Sequence, residues 1–253
     1  PAPLTESAKA SSDPMNNILA GLRVVEGSAF VAAPLAGMTL AQLGADVIRF
    51  DPLGGGIDYR RWPVTSNGRS LYWAGLNKGK RSIAVDFRRP EGRELVAALI
   101  TEPGPDAGIF LTNFPAAGWL GYEALRKRRR DLIMLAITGN RDGSSEVDYT
   151  VNCATGLPFM TGGEGEAGPV NHVLPAWDLV TGLTAVNGLL AAERHRRLTG
   201  EGQQVSLALS DIAFATMGHL GLIGEFQING EERPRYGNDL YGAFGRDFKT
   251  KDG

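Results

Sequence analysis

One carboxylate opens a long run of small and apolar residues. Asp178 begins the stretch DLVTGLTAVNGLLAAE, and no other ionisable side chain follows it before Glu193. The apolar spacing, with Gly200 as a stop signal, predicts a helix from about Trp177 to Leu198. A carboxylate in the first turn can simply cap the helix, whose dipole stabilises its charge. The same surroundings keep a carboxylate ionised and oriented, as a nucleophile requires, and both interpretations stay open here.

The three histidines show no spacing typical of metal ligands, so no metal site is predicted. His172 stands six residues before Asp178, which suggests a place near any site that Asp178 forms. His195 lies in the charged stretch ERHRR and is predicted to be exposed, whereas His219 on an apolar helix is predicted to be a core residue. The single cysteine, Cys153, lies among small apolar residues and is predicted to be buried packing.

Two common enzyme classes do not fit the turns between the predicted elements. Asp51 ends a strand, as a ribose-binding acid of a dinucleotide enzyme would. The turn after the first strand, EGSAFVAAPLAG, lacks G-x-G-x-x-G and holds Phe30 and Val31 where a pyrophosphate needs bare backbone. No G-x-S-x-G follows a strand, which argues against a serine hydrolase. Glu26, Asp51 and Asp148 are most simply strand-end or loop acids.

The elements that must position these residues alternate between strand and helix. Strands are predicted at 22–26, 45–51, 81–87, 106–114, 132–138 and 203–209, and helices at 33–44, 89–100, 121–130, 177–198 and 210–226, the last capped by Ser210. Such alternation predicts an α/β fold, a Rossmann-like parallel sheet with helices on both faces. The glycine-rich, polar segment 139–171 is expected to be a long functional loop.

Composition narrows the function further. The formal net charge is -2, from 26 basic and 28 acidic residues, which argues against nucleic-acid or membrane-surface binding. The basic run Arg126–Arg130 is predicted to be a solvated helix face. No apolar run is long enough to span a membrane, and one cysteine fits a reducing compartment, so a cytoplasmic protein is expected. Residues 1–16 are expected to form a disordered tail.

Several stretches resemble the class III CoA-transferases. The similarity is carried by LAGLRVVEGSAFVAAPLAGMTLAQLGADVIRFDP, WAGLNKGKRSIAVDFRRPEG, FLTNFPAAGWLGYEAL and, most specifically, DLVTGLTAVNGLLAAERHRRLTGEGQQVSLALSD. The resemblance implies that Asp178 is the catalytic nucleophile and that coenzyme A is a substrate carrier, with no permanently bound cofactor. EGSAFVAAPLAG, GGGIDYRRWPVT and EVDYTVNCATGLPFMTG are most similar to a branch that moves CoA between two carboxyl groups of one molecule.

The resemblance also implies which residues bind CoA. They are the turn after the first strand, the basic NKGKRS turn and the pair that ends a later strand: Ala29, Phe30, Val31, Lys80, Arg81, Asn113 and Phe114. The implied partners are an acyl-CoA thioester, a carboxylate and a second copy of the chain in an interlocked homodimer. Val147 stands where racemases of the family carry a histidine, so exchange of an α-proton is not expected.

Family members are longer and carry a smaller second domain. The resemblance therefore implies a CoA-binding large domain at 17–225, a linker and the start of the small domain at 226–253, and a small domain that is missing or truncated. Two alternatives stay open. The chain could be a transferase that acts between two molecules, or a truncated module that binds CoA or dimerises without catalysis.

Overall fold

The computed structural model describes residues 17–163, 165, 168–237, 245 and 248–252. The predicted tail at 1–16 lies outside the described residues. The chain divides into two compact units. The first contains the described residues up to Ala136 together with Gly182–Val205, and the second contains Ile137–Thr181 together with the described residues from Ser206 onward. The predicted domain boundary at residue 226 stays a prediction.

The strands form one six-stranded sheet in the order β3-β2-β1-β4-β5-β6. They are β1 (Arg23–Gly27), β2 (Asp46–Asp51), β3 (Arg81–Ala84), β4 (Ile109–Thr112), β5 (Ile133–Thr138) and β6 (Gln204–Ala208). The pairs β1–β2, β1–β4, β2–β3 and β4–β5 are parallel. The predicted α/β fold is confirmed, and this strand order is that of a Rossmann sheet, whose direction of winding reverses between β1 and β4.

The helices are α1 (Ala32–Gln42), α2 (Leu71–Leu76), α3 (Pro90–Ile100), α4 (Tyr122–Arg126), α5 (Asp148–Ala154), α6 (Leu157–Met160), α7 (Ala176–Thr199), α8 (Leu209–His219) and α9 (Leu222–Asn229). Helix α2 was not predicted from the sequence, because it is short and begins at a polar cap. The Ser70 hydroxyl accepts a hydrogen bond from the Trp73 N–H at 3.0 Å. In the described part of the chain, none of these helices has the length and apolar character needed to cross a membrane.

Both faces of the sheet in the first unit are covered. On one face Val25, Phe50 and Phe110 pack in the same cluster as the buried side chains of α3. On the other face Leu135 meets α7, where a Cβ added at Gly188 would lie 3.5 Å from the Leu135 side chain. Because alternate residues of β4 and β5 are buried on opposite faces, these two strands are almost wholly apolar.

The expected loop at 139–171 is partly helical, since it contains α5 and α6. Helix α5 was not predicted because its buried face, Asp148, Val151 and Asn152, is mostly polar. This spacing of three and four residues turns Cys153 outward, so the prediction that Cys153 is buried is wrong.

The last predicted helix, 210–226, is two helices. Gly221 between α8 and α9 adopts a left-handed φ of 77°, which interrupts the helix. Ser210 is not the cap, because α8 begins at Leu209 with Ala208 as its N-cap residue. His219 is exposed rather than in the core, because the buried face of α8 contains Leu209, Ala213 and Met217.

The basic run Arg126–Arg130 is mostly solvated, as predicted, with one exception. Arg129 is 8% exposed. Its guanidinium donates to the Asp131 carboxylate at 2.9 Å and to the Gly104 carbonyl at 2.7 Å. The prediction of a wholly solvated face is therefore wrong at this position, where acceptors from outside the run hold the side chain.

Candidate active site

Asp178 lies in the first turn of α7, which confirms the predicted helix and its start within one residue. Its side chain is partly buried, and it belongs to the second unit. The backbone N–H of Asp178 donates to Oδ2 of Asp148 at 3.0 Å. The same oxygen accepts the N–H of Trp177 at 2.7 Å. Asp148 therefore satisfies two of the free N–H groups that open the helix.

This arrangement changes the interpretation of both carboxylates. The sequence left open whether Asp178 caps its helix, but the carboxylate that accepts the first N–H groups is Asp148. Asp148 is 2% exposed and comes from α5, so it is not the simple loop acid that was expected. A neighbouring helix thus orients the backbone of Asp178, and the positive end of the α7 dipole favours a charged carboxylate there.

Side chains around Asp148 complete a hydrogen-bonded network. Nε2 of His172 lies 2.8 Å from Oδ1 of Asp148, which confirms that His172 is near Asp178. The Trp177 indole, 4% exposed, donates from Nε1 to Oδ1 of Asn152 at 3.0 Å. The Trp177 ring is thus buried beside the first turn of α7 with its N–H satisfied. The Asp148 carboxylate accepts from two helix N–H groups and contacts one imidazole.

In the first unit, a side chain that follows the neighbouring strand β4 holds the turn after β1. The Asn113 side chain accepts the Ala29 N–H at 2.9 Å and donates to the Ala29 carbonyl at 2.7 Å. Asn113 follows β4, so this clamp lies at the carboxyl ends of β1 and β4. In open α/β sheets, ligands bind at the reversal point between such strands. The structure therefore brings two of the predicted CoA-binding residues, Ala29 and Asn113, into direct contact.

Phe30 has an unusual backbone conformation in the same turn. Its φ is 66°, which is uncommon for a residue with a bulky side chain. The Phe30 N–H donates to Oδ2 of Asp58 at 2.9 Å, which fixes the turn in this conformation. Val31 follows as the N-cap residue of α1 and is buried.

Lys80 and Arg81 have different surroundings. The Lys80 ammonium donates to Oε1 of Glu26, the carbonyl of Pro34 and Oδ1 of Asn77, each at 2.8 Å. Its side chain is 1% exposed, and burial lowers its pKa while the Glu26 carboxylate opposes that shift. Contact of Lys80 with a phosphate would need these bonds to be exchanged. The Arg81 side chain is 60% exposed and is paired with Asp46.

Phe114 supports the turn through the core. Its N–H donates to the hydroxyl of Thr112 at 2.9 Å, and its ring meets Phe50 edge-on at 6.1 Å between centroids. Thr112 in turn donates to the carbonyl of Gly27 at 2.7 Å. The pair Asn113-Phe114 is thus hydrogen-bonded both to the turn after β1 and to the end of β4.

A buried charge network beneath this turn was not predicted. Arg49 is 1% exposed and donates to both carboxylate oxygens of Asp51, at 2.8 and 2.9 Å, and to the Ser28 carbonyl at 3.0 Å. Burial acts to lower the pKa of Arg49, but hydrogen bonding and the charge of Asp51 outweigh it and the pKa is raised. Asp58 lies 3.3 Å from the same guanidinium. The available signal was an arginine between the apolar residues Ile48 and Phe50 of β2.

Comparison with known proteins identifies the class to which this geometry belongs. A family model described as CoA-transferase family III matches residues 19–253. The chain therefore belongs to the class III CoA-transferases, which confirms the resemblance found in the sequence. Members of this family use CoA as a substrate carrier.

Among individual relatives, the chain is 68% identical over 240 residues to 2-methylfumaryl-CoA isomerase from Chloroflexus aurantiacus, covering 94% of this chain and 59% of that one. It is 34% identical to succinate–glutarate CoA-transferase from Agrobacterium fabrum, covering 87% of this chain and 57% of the relative. A crystal structure of a CAIB/BAIF family protein from Brucella suis matches with a TM-score of 0.77 and 33% identity, covering 88% of this chain and 61% of that one. The chain thus spans less than two thirds of each of these relatives.

Proposed function

We propose that the protein is an enzyme that moves CoA between carboxyl groups through a covalent intermediate on Asp178. The observation that carries the proposal is the placement of Asp178: a partly buried carboxylate in the first turn of α7, with its N–H fixed by Asp148. The 68% identity to 2-methylfumaryl-CoA isomerase supports this activity with 2-methylfumaryl-CoA as substrate. We propose transfer between C1 and C4 of one molecule, in keeping with the resemblance to the branch that moves CoA between two carboxyl groups of one molecule.

The first half of the reaction converts the carboxylate of Asp178 into a thioester. A carboxylate oxygen attacks the thioester carbonyl of the substrate, the C–S bond breaks, and CoA leaves as a thiolate while a mixed anhydride forms. The thiolate then attacks the aspartyl carbonyl. The acyl group leaves as a free carboxylate, and CoA is now joined to Asp178.

The second half returns CoA to the other end of the same molecule. The second carboxylate of the bound dicarboxylate attacks the aspartyl thioester. The C–S bond breaks, the thiolate leaves, and a new anhydride joins the carboxylate to Asp178. The thiolate then attacks the acyl carbonyl and releases Asp178 as a carboxylate. Atoms and charge balance without an added reactant, and a bound acceptor replaces a bimolecular encounter with orientation. Trp177 would protect the activated aspartyl group from water.

The predicted CoA-binding set is proposed to act around the turn after β1. Ala29, Phe30 and Val31 would offer backbone groups to the carrier, with Asn113 and Phe114 holding the turn in shape. Arg81 would supply a surface cation for the phosphates. Lys80 would contribute by stabilising the turn through Glu26, or would exchange its present partners for phosphate. We further propose a homodimer, as the class resemblance implied, and a cytoplasmic location, as the composition of the sequence indicated.

Turnover by Asp178→Asn tests the nucleophile, and a crossover experiment tests the route. Purified protein would receive carbon-13-labelled 2-methylfumaryl-CoA with excess unlabelled free acid, and the isomeric thioester would be analysed by mass spectrometry. Intramolecular transfer predicts product that keeps the full label, and Asp178→Asn should give none. Unlabelled product would establish the intermolecular alternative, which the 34% identity to succinate–glutarate CoA-transferase also supports. Equal turnover by Asp178→Asn would refute the proposal.

A further inference from the structure

We infer that Arg61 is the anion-binding residue for an oxyanion carried by the acyl-CoA, either the free carboxylate of the acyl group or a CoA phosphate. The inference rests on the proposed function and names a recognition element of it. Arg61 lies in the segment between β2 and α2, within the first unit, and its side chain is exposed. No role was expected for it from the sequence.

Two aromatic rings hold the Arg61 guanidinium. Its central carbon lies 5.2 Å from the centroid of the Phe30 ring and 5.0 Å from that of Tyr72. A guanidinium over aromatic faces keeps N–H donors at its edge for a planar anion, which makes arginine suited to carboxylates and phosphates. Phe30 belongs to the clamped turn at the carboxyl end of β1, so the cation lies at the part of the sheet where ligands are expected.

The backbone of Arg61 is fixed as well. Its N–H donates to the Asp58 carbonyl at 3.0 Å, and its own carbonyl accepts the Ser70 hydroxyl at 2.5 Å. A side chain that is anchored at its backbone and flanked by rings loses less conformational entropy on binding than a free surface arginine. The site is therefore partly organised before any ligand arrives.

The charge of Arg61 is also available. Among the residues that the structure describes, no acidic side chain forms an ion pair with it. The nearest acid in sequence, Asp58, is engaged elsewhere: one oxygen accepts the Phe30 N–H and the other faces Arg49. Asp58 thus neutralises Arg49 and fixes the turn, and the positive charge of Arg61 is left for a ligand.

The test compares ligands that differ by one anionic group, in the Asp178→Asn background so that no ligand is consumed. Isothermal titration calorimetry would measure succinyl-CoA, butyryl-CoA and butyryl-pantetheine, which carry respectively an acyl carboxylate with phosphates, phosphates alone, and neither. The variants are Arg61→Gln, Arg61→Lys and, as a matched control, Arg69→Gln, an exposed arginine of the same segment.

If Arg61 binds the acyl carboxylate, Arg61→Gln lowers the affinity for succinyl-CoA by about tenfold and leaves the affinity for butyryl-CoA unchanged. If Arg61 binds a phosphate, the affinities for the two CoA thioesters fall equally and the affinity for butyryl-pantetheine does not change. In both cases Arg61→Lys gives a smaller loss, because it keeps the charge without the planar fork, and Arg69→Gln gives none.

The inference is overturned if Arg61→Gln changes none of the three affinities by more than about twofold, or weakens all three equally, as general damage would. These affinities need no turnover. A failure of the proposed function would instead show as unchanged turnover in Asp178→Asn, so the two failures are distinguishable.

Discussion

The turn after β1 and the first turn of α7 are fixed in different ways. The turn after β1 rests on a buried charge network in which Arg49, Lys80 and Glu26 are each almost fully removed from solvent. The first turn of α7 rests on a single buried carboxylate, Asp148, which accepts two backbone N–H groups. The first arrangement fixes many atoms at once, and the second fixes the backbone of one functional residue.

Substitutions in the two regions should therefore have different main costs. Removing one member of a desolvated charge network leaves an unpaired buried charge, so the main cost falls on stability. Removing a cap leaves the helix intact beyond its first turn, so the main cost falls on the placement of Asp178.

The largest effect is expected from Lys80→Met. The change leaves Glu26 buried beside Arg49, 3.8 Å away, without its 2.8 Å partner, and we expect the free energy of unfolding to fall by about 3 to 5 kcal/mol. Urea denaturation followed by circular dichroism measures this change, with Lys78→Met as the exposed control. The double variant Glu26→Gln, Lys80→Met should recover part of the loss. A loss below about 1 kcal/mol would mean that the buried charge network does not stabilise the turn after β1.

Asp148→Ala tests the other side. We expect the free energy of unfolding to fall by about 1 to 2 kcal/mol, the cost of a lost cap. We expect kcat to fall further, by up to about a hundredfold, with KM for acyl-CoA unchanged, because Asp178 is displaced rather than removed. Steady-state kinetics measure the split, and Asp142→Ala is the exposed control. Equal losses in kcat and in the fraction of folded protein would mean that Asp148 is only structural.

Trp177→Phe should have a smaller effect. It removes the 3.0 Å bond to Asn152 and leaves the buried amide oxygen without this donor, at a cost of about 1 to 2 kcal/mol in the free energy of unfolding. The same variant should react faster with water once the aspartyl group is activated, measured as acyl-CoA hydrolysis. Unchanged hydrolysis would contradict a water-excluding role for the ring.

The smallest effect concerns Asp131, a partly exposed acid of the first unit. Burial acts to raise its pKa, but the hydrogen bonds from Arg129 outweigh this and the pKa is lowered. A depressed folded-state pKa stabilises the protein above the unfolded pKa of Asp, and this contribution is lost as pH falls through the folded pKa. Asp131→Asn should therefore lower the free energy of unfolding at neutral pH by less than about 1 kcal/mol and have no effect in strong acid. If the difference in the free energy of unfolding between the wild type and Asp131→Asn grew as the pH falls, the pKa of Asp131 would be raised rather than lowered.

The strands and most helices were predictable, because apolar runs of strand length alternate with helical spacing. The helix α5 was not, since its buried face carries Asp148 and Asn152 and reads as polar. Asp178 stood out from its place at the head of α7, and the class resemblance supplied its role.

The contacts that organise the site could not be predicted, because their partners are distant in sequence. Asp148 lies 29 residues from Trp177, and Asn113 lies 84 residues from Ala29. Lys80 was expected to bind CoA from the basic NKGKRS turn, but Glu26 holds its ammonium in the protein interior. Pairings of this kind depend on sheet order and on the direction of side chains, which local patterns do not specify.

The proposed mechanism requires that Asp178 carries first the acyl group and then CoA. The most direct measurement is mass spectrometry of the protein after incubation with 2-methylfumaryl-CoA and hydroxylamine, which converts an activated aspartyl group to a hydroxamate. We expect a hydroxamate on Asp178, found by peptide mapping, and none without the thioester or in Asp178→Asn. Turnover of the thioester with Asp178 unmodified under these trapping conditions would contradict covalent catalysis by Asp178.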